Sequence, residues 1–178
     1  MYDVAIDMTV YTKTGDKGKT GTFGGKRISK SSKLIQAIGA IDELNSYLGI
    51  IGTTSGSRGK LTEIQRNLFT INSILSGAKL ELPKDATKKL EKEIDDMEGS
   101  MPVLANFIIY SGTPRATKLY YSRALCRRAE RILVAASDSK HPNLDKLAYL
   151  NRLSDYLFTL ARFTNFKKKV KEEIWKVV

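Results

Sequence analysis

The sequence predicts an all-α fold, an antiparallel five-helix bundle with a glycine-rich N-terminal arm, and three observations carry that prediction. From residue 31 onward apolar residues recur three and four positions apart, the spacing of a buried helical face. Prolines and a Gly/Ser-rich stretch cut this periodic region into five segments with no internal repeat. Residues 1–30, by contrast, are rich in Gly, Thr and Lys and have no helical period. A length of 178 residues with 42% hydrophobic content suits one domain over 1–178, of which 1–30 is the arm.

In chain order, the arm reads T-V-Y-T-K-T-G-D-K-G-K-T-G-T-F-G-G-K-R, a loop with one short strand expected at 8–12. The first helix places Leu34, Ile38, Ile41 and Leu48 on its inner face. The stretch 52–59 (G-T-T-S-G-S-R-G) is a connection, and Leu61, Ile64, Leu68, Ile71 and Leu75 mark the second helix. A third helix follows Pro83, with Ala86, Leu90, Ile94 and Met97 inside and Lys and Glu outside. Residues 101–114 (M-P-V-L-A-N-F-I-I-Y-S-G-T-P) form an apolar linker ending in a turn that leads to the fourth helix, 119–136. The fifth begins near Asn143 and runs through Leu147, Leu150, Phe158 and Ala161 as far as Trp175.

Composition narrows the partners. The net charge of +11 points to anions. The single cysteine, Cys126, falls on a helical stripe and reads as a small core residue. No stretch approaches the ~18 apolar residues of a membrane span, and the start M-Y-D-V-A-I-D lacks the order of a signal peptide, so a cytoplasmic protein without membrane partners is expected. The one histidine, His141, precedes Pro142 in a loop and reads as a solvated residue.

Charges fall where hydrophobes are called for. At about 100° per residue, Leu119, Cys126, Ala129 and Leu133 form one stripe of the fourth helix; Arg123 and Glu130 lie inside it, and Arg127 and Arg131 border it. Asp42 and Asn45 interrupt the inner stripe of the first helix. Asn151, Ser154 and Arg162 do the same in the fifth, with Asp155 at the edge. An unpaired buried ion costs several kcal/mol, so these groups need partners. Two arrangements supply them: a satisfied polar network or oligomer interface, or a ligand cleft between helices closed by the arm.

The arm has what a polyphosphate requires. Glycines let backbone N–H groups turn toward phosphate oxygens, threonines add hydroxyl donors, and Lys13, Lys17, Lys19, Lys26 and Lys30 bring charge. Gly18-Lys19-Thr20 resembles the end of a Walker A motif, but Lys13 stands where its first glycine belongs and no strand–loop–helix unit surrounds it, which excludes a standard P-loop. A flexible basic tail has the same composition. A nucleic-acid-binding bundle using Lys167, Lys168 and Lys169 would explain the net charge but not the inward polar residues, so no nucleic-acid partner is expected.

Four blocks, T-K-T-G-D-K-G in the arm, I-D-E-L-N-S-Y-L-G in the first helix, C-R-R-A-E-R in the fourth and N-R-L-S-D-Y-L-F-T-L-A-R in the fifth, resemble the PduO-type ATP:cob(I)alamin adenosyltransferase family. The resemblance implies a homotrimer whose sites lie between the arm of one subunit and the fourth helix of a neighbour. The reaction it implies passes the 5′-deoxyadenosyl group of ATP to the cobalt of reduced cob(I)alamin or a related corrinoid, releasing triphosphate. It assigns ATP contacts to Thr12, Lys13, Thr14, Gly15, Thr20, Gly21 and Lys30 on the arm, to Arg127, Arg128, Glu130 and Arg131 on the fourth helix, and to Asn151 on the fifth. Arg123 matches an arginine that pairs across the interface with an aspartate, here Asp42, and Phe107 matches a phenylalanine that blocks the lower face of cobalt. Mg²⁺ is expected on the ATP phosphates rather than on His or Cys ligands, with a flavin reductase and an adenosylcobalamin-dependent acceptor enzyme as further partners. The chain departs from the family where I-Y-S-G-T-P replaces L-P-G-G or L-P-S-G-G, putting Tyr110 for proline and Thr113 for glycine, and where Tyr120 replaces histidine. A nucleotide sensor without corrinoid chemistry is the rival reading.

Overall fold

The computed structural model describes residues 11–53, 58–137 and 142–176. Its helices are α1 (Lys33–Thr53), α2 (Arg58–Leu75), α3 (Ala86–Glu98), α4 (Pro114–Ala136) and α5 (Leu144–Lys167). Cross-helix pairs show that neighbours run in opposite senses. Asn72 reaches the Ile38 carbonyl while Gln65 reaches that of Asn45, and Asn165 binds Thr113 while Asn151 binds Glu130. The central helix α4 packs against both α1 and α5, with α2 behind α1 and α3 behind α5.

The buried stripes explain this order. Ala37, Ile41, Leu44, Leu48 and Ile51 of α1 meet Leu61, Ile64, Leu68 and Ile71 of α2, and Leu119, Cys126, Ala129 and Leu133 of α4 face Tyr149, Leu150, Leu153 and Leu157 of α5. The α4 stripe is the expected one. Cys126 is enclosed within it, its thiol donating to the Leu150 carbonyl at 3.2 Å, and burial pushes the thiol pKa far above its ordinary value. It is a core residue, as expected, and inert as a thiolate.

Helix starts follow from local chemistry. Thr113 caps α4: its hydroxyl accepts from the Ala116 N–H at 3.2 Å, and Pro114 opens the helix with φ already fixed. The threonine that departs from the family pattern is therefore the helix cap. A Thr113→Ala variant should lose about 1 kcal/mol of stability, read as a lowered midpoint of chemical unfolding.

Strands appear where helix or loop was expected. In the arm, β1 (Lys19–Gly21) pairs antiparallel with β2 (Arg27–Ser29), opposing Thr20 to Ile28. The strand expected at 8–12 has its first three positions outside the described residues, and Tyr11 and Thr12 are not in a strand. β3 (Ile108–Ile109) lies in the linker and pairs with β4 (Glu173–Ile174). The fifth helix accordingly stops at Lys167, not Trp175. Lys169 takes a left-handed φ of 56°, which breaks the helix and returns the chain toward the linker. His141 falls outside the described residues.

The linker is held from α5. Gly112, at φ 110°, lies so close to Asn165 that a Cβ there would collide with the side-chain amide. That amide donates to the Ser111 carbonyl at 2.9 Å and accepts from the Thr113 N–H at 3.0 Å. Gly112→Ala combines a disfavoured φ with a steric conflict, so it should destabilise by more than about 1 kcal/mol, readable as a drop in melting temperature.

Candidate functional site

The predicted residues gather in three places. The first is a groove of about 360 Å³ between the arm and the first two helices, lined by Thr20, Gly21 and Lys30 together with Asp42 of α1 and Asn72 of α2. The hairpin is anchored there because Phe23 N–H, in its turn, donates to the Ser76 carbonyl just beyond α2 at 2.9 Å. The preceding T-K-T-G turn is folded against the same hairpin. Lys30 Nζ would stand 3.3 Å from a Cβ on Gly15, so the ammonium lies close against the turn. Thr12 and Thr14 share a hydrogen bond between hydroxyls at 2.8 Å, and Lys13 takes a left-handed φ of 57°. Hydroxyls and ammonium groups on an exposed turn form a donor-rich surface for an anion.

Arg27 holds this turn in place and was not singled out in the sequence. Its guanidinium donates to the Thr14 carbonyl and, at 3.2 Å, to that of Lys19. No periodicity could have indicated it, because its reach depends on the hairpin pairing.

The second place is a groove of about 480 Å³ beside β3, walled by Phe107, Tyr110, Arg123, Asp155 and Phe158. Phe107 is 81% exposed, an apolar ring left facing solvent. Arg123 is half-buried and paired inside the chain: it donates to the Tyr110 hydroxyl at 2.9 Å and its guanidinium lies 5.3 Å from the Phe158 ring centre. Tyr110 in turn stacks on Tyr120, ring centres 4.8 Å apart and 14° from parallel. Burial pushes the Tyr120 phenol up to about 12, which keeps it neutral at physiological pH. Of the two tyrosines that depart from the family pattern, Tyr110 walls this groove and Tyr120 is buried behind it.

The third place is the outer face of α4. Arg127 and Arg131 are exposed and make no hydrogen bond or ion pair among the described residues. Arg128 is ion-paired with Glu43 of α1, and Glu130 accepts from the Asn151 side-chain amide at 3.0 Å.

These placements correct three expectations. Asp42 is exposed and lines the arm groove, not the core, because the buried face of α1 is centred on Ala37, Ile41, Leu44 and Leu48, with Ile38 only half-buried at its edge. Asn151 likewise lies outside, whereas Asn45, Ser154 and Arg162 are buried as expected. Arg123 and Glu130 are half-buried at the margins of α4, and their partners are Tyr110 and Asn151. Neither groove unites the arm with Arg127 and Arg131.

The family model for cobalamin adenosyltransferase matches residues 10–164, and the chain belongs to that family. It is 39% identical to corrinoid adenosyltransferase MMAB of Bos taurus, with 94% of this chain and 76% of that protein aligned. Against corrinoid adenosyltransferase of Bacillus subtilis the identity is also 39%, covering 92% and 90%. A variant of the PduO-type ATP:corrinoid adenosyltransferase from Lactobacillus reuteri, complexed with cobalamin and ATP, superposes with a TM-score of 0.88 at 31% identity, covering 95% of this chain and all of that one. The five-helix bundle expected from the sequence is the fold these proteins share.

Proposed function

We propose that this protein is an ATP:corrinoid adenosyltransferase that moves the 5′-deoxyadenosyl group of ATP to the cobalt of a reduced corrinoid. Family membership supports the activity. The single structural observation that favours an interface site is the division of the nucleotide-binding residues: the arm's Thr20, Gly21 and Lys30 line one groove, while Arg127 and Arg131 stand on an outer face without partners among the described residues. A homotrimer in which the arm of one subunit meets α4 of its neighbour would join them, and would bring Asp42 of one copy toward Arg123 of the next.

In the reaction, Co(I) attacks C5′ of ATP, the C5′–O5′ bond breaks, and triphosphate departs with the electron pair. Cobalt is the nucleophile, so the protein's task is to position the reactants and stabilise charge on the leaving group. Lys13, Lys30, Arg127, Arg128 and Arg131 supply the cations; Thr12, Thr14, Gly15, Glu130 and Asn151 complete the nucleotide contacts. Mg²⁺ would travel on the triphosphate, since the carboxylate lining the arm groove is Asp42 alone and the other oxygen donors there are neutral. Phe107 would cover the lower face of the corrinoid. Removing the axial donor from Co(II) makes its reduction easier.

The whole chain acts as one domain in this reading, in the cytoplasm, receiving electrons by way of a flavin reductase and passing its product to an adenosylcobalamin-dependent enzyme. No helix among the described residues is long and apolar enough to cross a membrane. The decisive assay mixes the protein with ATP, Mg²⁺ and chemically reduced cobalamin without oxygen and follows the adenosylcobalamin spectrum. Product formation is expected. ATP binding without a cobalt–carbon bond, for cobalamin and simpler corrinoids alike, would replace this reading with that of a nucleotide sensor. Sedimentation should give a trimer mass, and a stable monomer with full activity would overturn the interface site.

A further inference from the structure

Arg162 is the most deeply buried cation among the described residues, 4% exposed, and it touches neither of the two grooves. Its Nε donates to Glu172 at 2.6 Å, and one terminal nitrogen donates to Glu172 at 3.2 Å and to the Pro102 carbonyl at 3.1 Å. A guanidinium placed in a helical core and satisfied this fully has a conformation to fix, because an unpaired one would cost several kcal/mol. It ties two segments to this part of α5. Pro102 begins the stretch leading to Phe107, and Glu172 begins the C-terminal strap.

The strap then reaches Phe107 directly. Glu173 and Ile174 pair with Ile109 and Ile108, and the Trp175 N–H donates to the Phe107 carbonyl at 2.8 Å. The Trp175 and Phe107 rings meet edge to face, 6.4 Å apart at 81°. Phe107 itself has a solvent-facing ring, so its backbone is held by the strap and the strap is held by Arg162.

We propose that Arg162 and Glu172 are positioning residues that set the placement of Phe107 through the C-terminal strap. The inference rests on the corrinoid reading above and adds to it a pair of residues that contact no substrate. Trp175 is the chain's only tryptophan and sits on Phe107, so its emission reports directly whether the strap is docked.

The test uses the full-length Glu172→Gln variant, together with Arg162→Lys as the charge-conserving control. Three quantities are compared with the parent: Trp175 emission and its quenching by acrylamide, adenosylation starting from Co(I), and adenosylation starting from Co(II) plus a reductant, with the four-coordinate Co(II) signal read by electron paramagnetic resonance. In Glu172→Gln, acrylamide quenching should rise and the rate from Co(II) should fall roughly ten- to hundredfold with the four-coordinate signal, while the rate from Co(I) changes less than about threefold. Arg162→Lys, which keeps the charge but not the two-nitrogen grip, should move the same quantities in the same direction by less. Equal loss of both rates in step with a lowered melting temperature would show a purely structural pair and overturn the proposal. So would a released strap with an unchanged ratio of the two rates, which would leave the enzyme reading intact. A parent protein inactive even from Co(I) would instead remove the enzyme reading, and this inference with it. Should Glu172→Gln fail to fold, truncation after residue 171, which removes Trp175 as well, is read by the two rates and the four-coordinate signal alone.

Discussion

Arg127→Ala should lower kcat by roughly 10²- to 10³-fold, about 2.7–4 kcal/mol of transition-state stabilisation, because in the proposed reading it removes a cation that meets the charge developing on triphosphate. Stability should stay within about 0.5 kcal/mol of the parent, since the side chain is exposed and leaves no buried partner behind. Arg127→Lys should recover little of the loss, because an ammonium lacks the planar fork that grips two phosphate oxygens at once. Steady-state kinetics from Co(I), with a melting curve beside them, decide the matter. A variant that keeps full turnover, or loses turnover only as it loses stability, would remove Arg127 from the site.

Phe107→Ala should separate the two halves of the reaction. If Phe107 covers the corrinoid as proposed, loss of the ring would let water or another axial donor reach the lower face of Co(II), and adenosylation from Co(II) should drop by about 10²-fold or more, the scale on which misplaced reacting groups lose rate. Adenosylation from Co(I), which needs no reduction, should be reduced far less. The ring is 81% exposed, so its loss creates no core cavity and the melting temperature should hardly move. Wild-type rates from Co(II) would show that Phe107 does not cover cobalt.

Much of this architecture could be read from the chain because the relevant forces are local. Leu119, Cys126, Ala129 and Leu133 form the buried stripe of α4 as their spacing requires, and Cys126 is the core residue it looked to be. The phase of α1 was less legible. Ala37 and Ala40 contribute to its buried face, small residues that weigh little in a reading built on Ile and Leu, and the shift they impose carries Asp42 out toward the arm. The β3–β4 pairing could not be seen: each strand is two residues long, the partners are far apart in sequence, and K-K-K-V-K-E-E-I-W reads as the tail of a helix until Lys169 turns it. The arginines of α4 expose a different limit. Periodicity separates a face that packs against the same chain from one that does not, but it cannot say whether an outward cation meets water, a ligand or another subunit.

The tether from Arg27 to the Thr14 carbonyl has a dynamic consequence. Because that side chain ties the T-K-T-G turn to the hairpin, and Phe23 fastens the hairpin to the end of α2, displacing the turn alone breaks the Arg27 bond and displacing the hairpin breaks the Phe23–Ser76 bond. In the proposed reading, a nucleotide that enters here would therefore disturb turn and hairpin together.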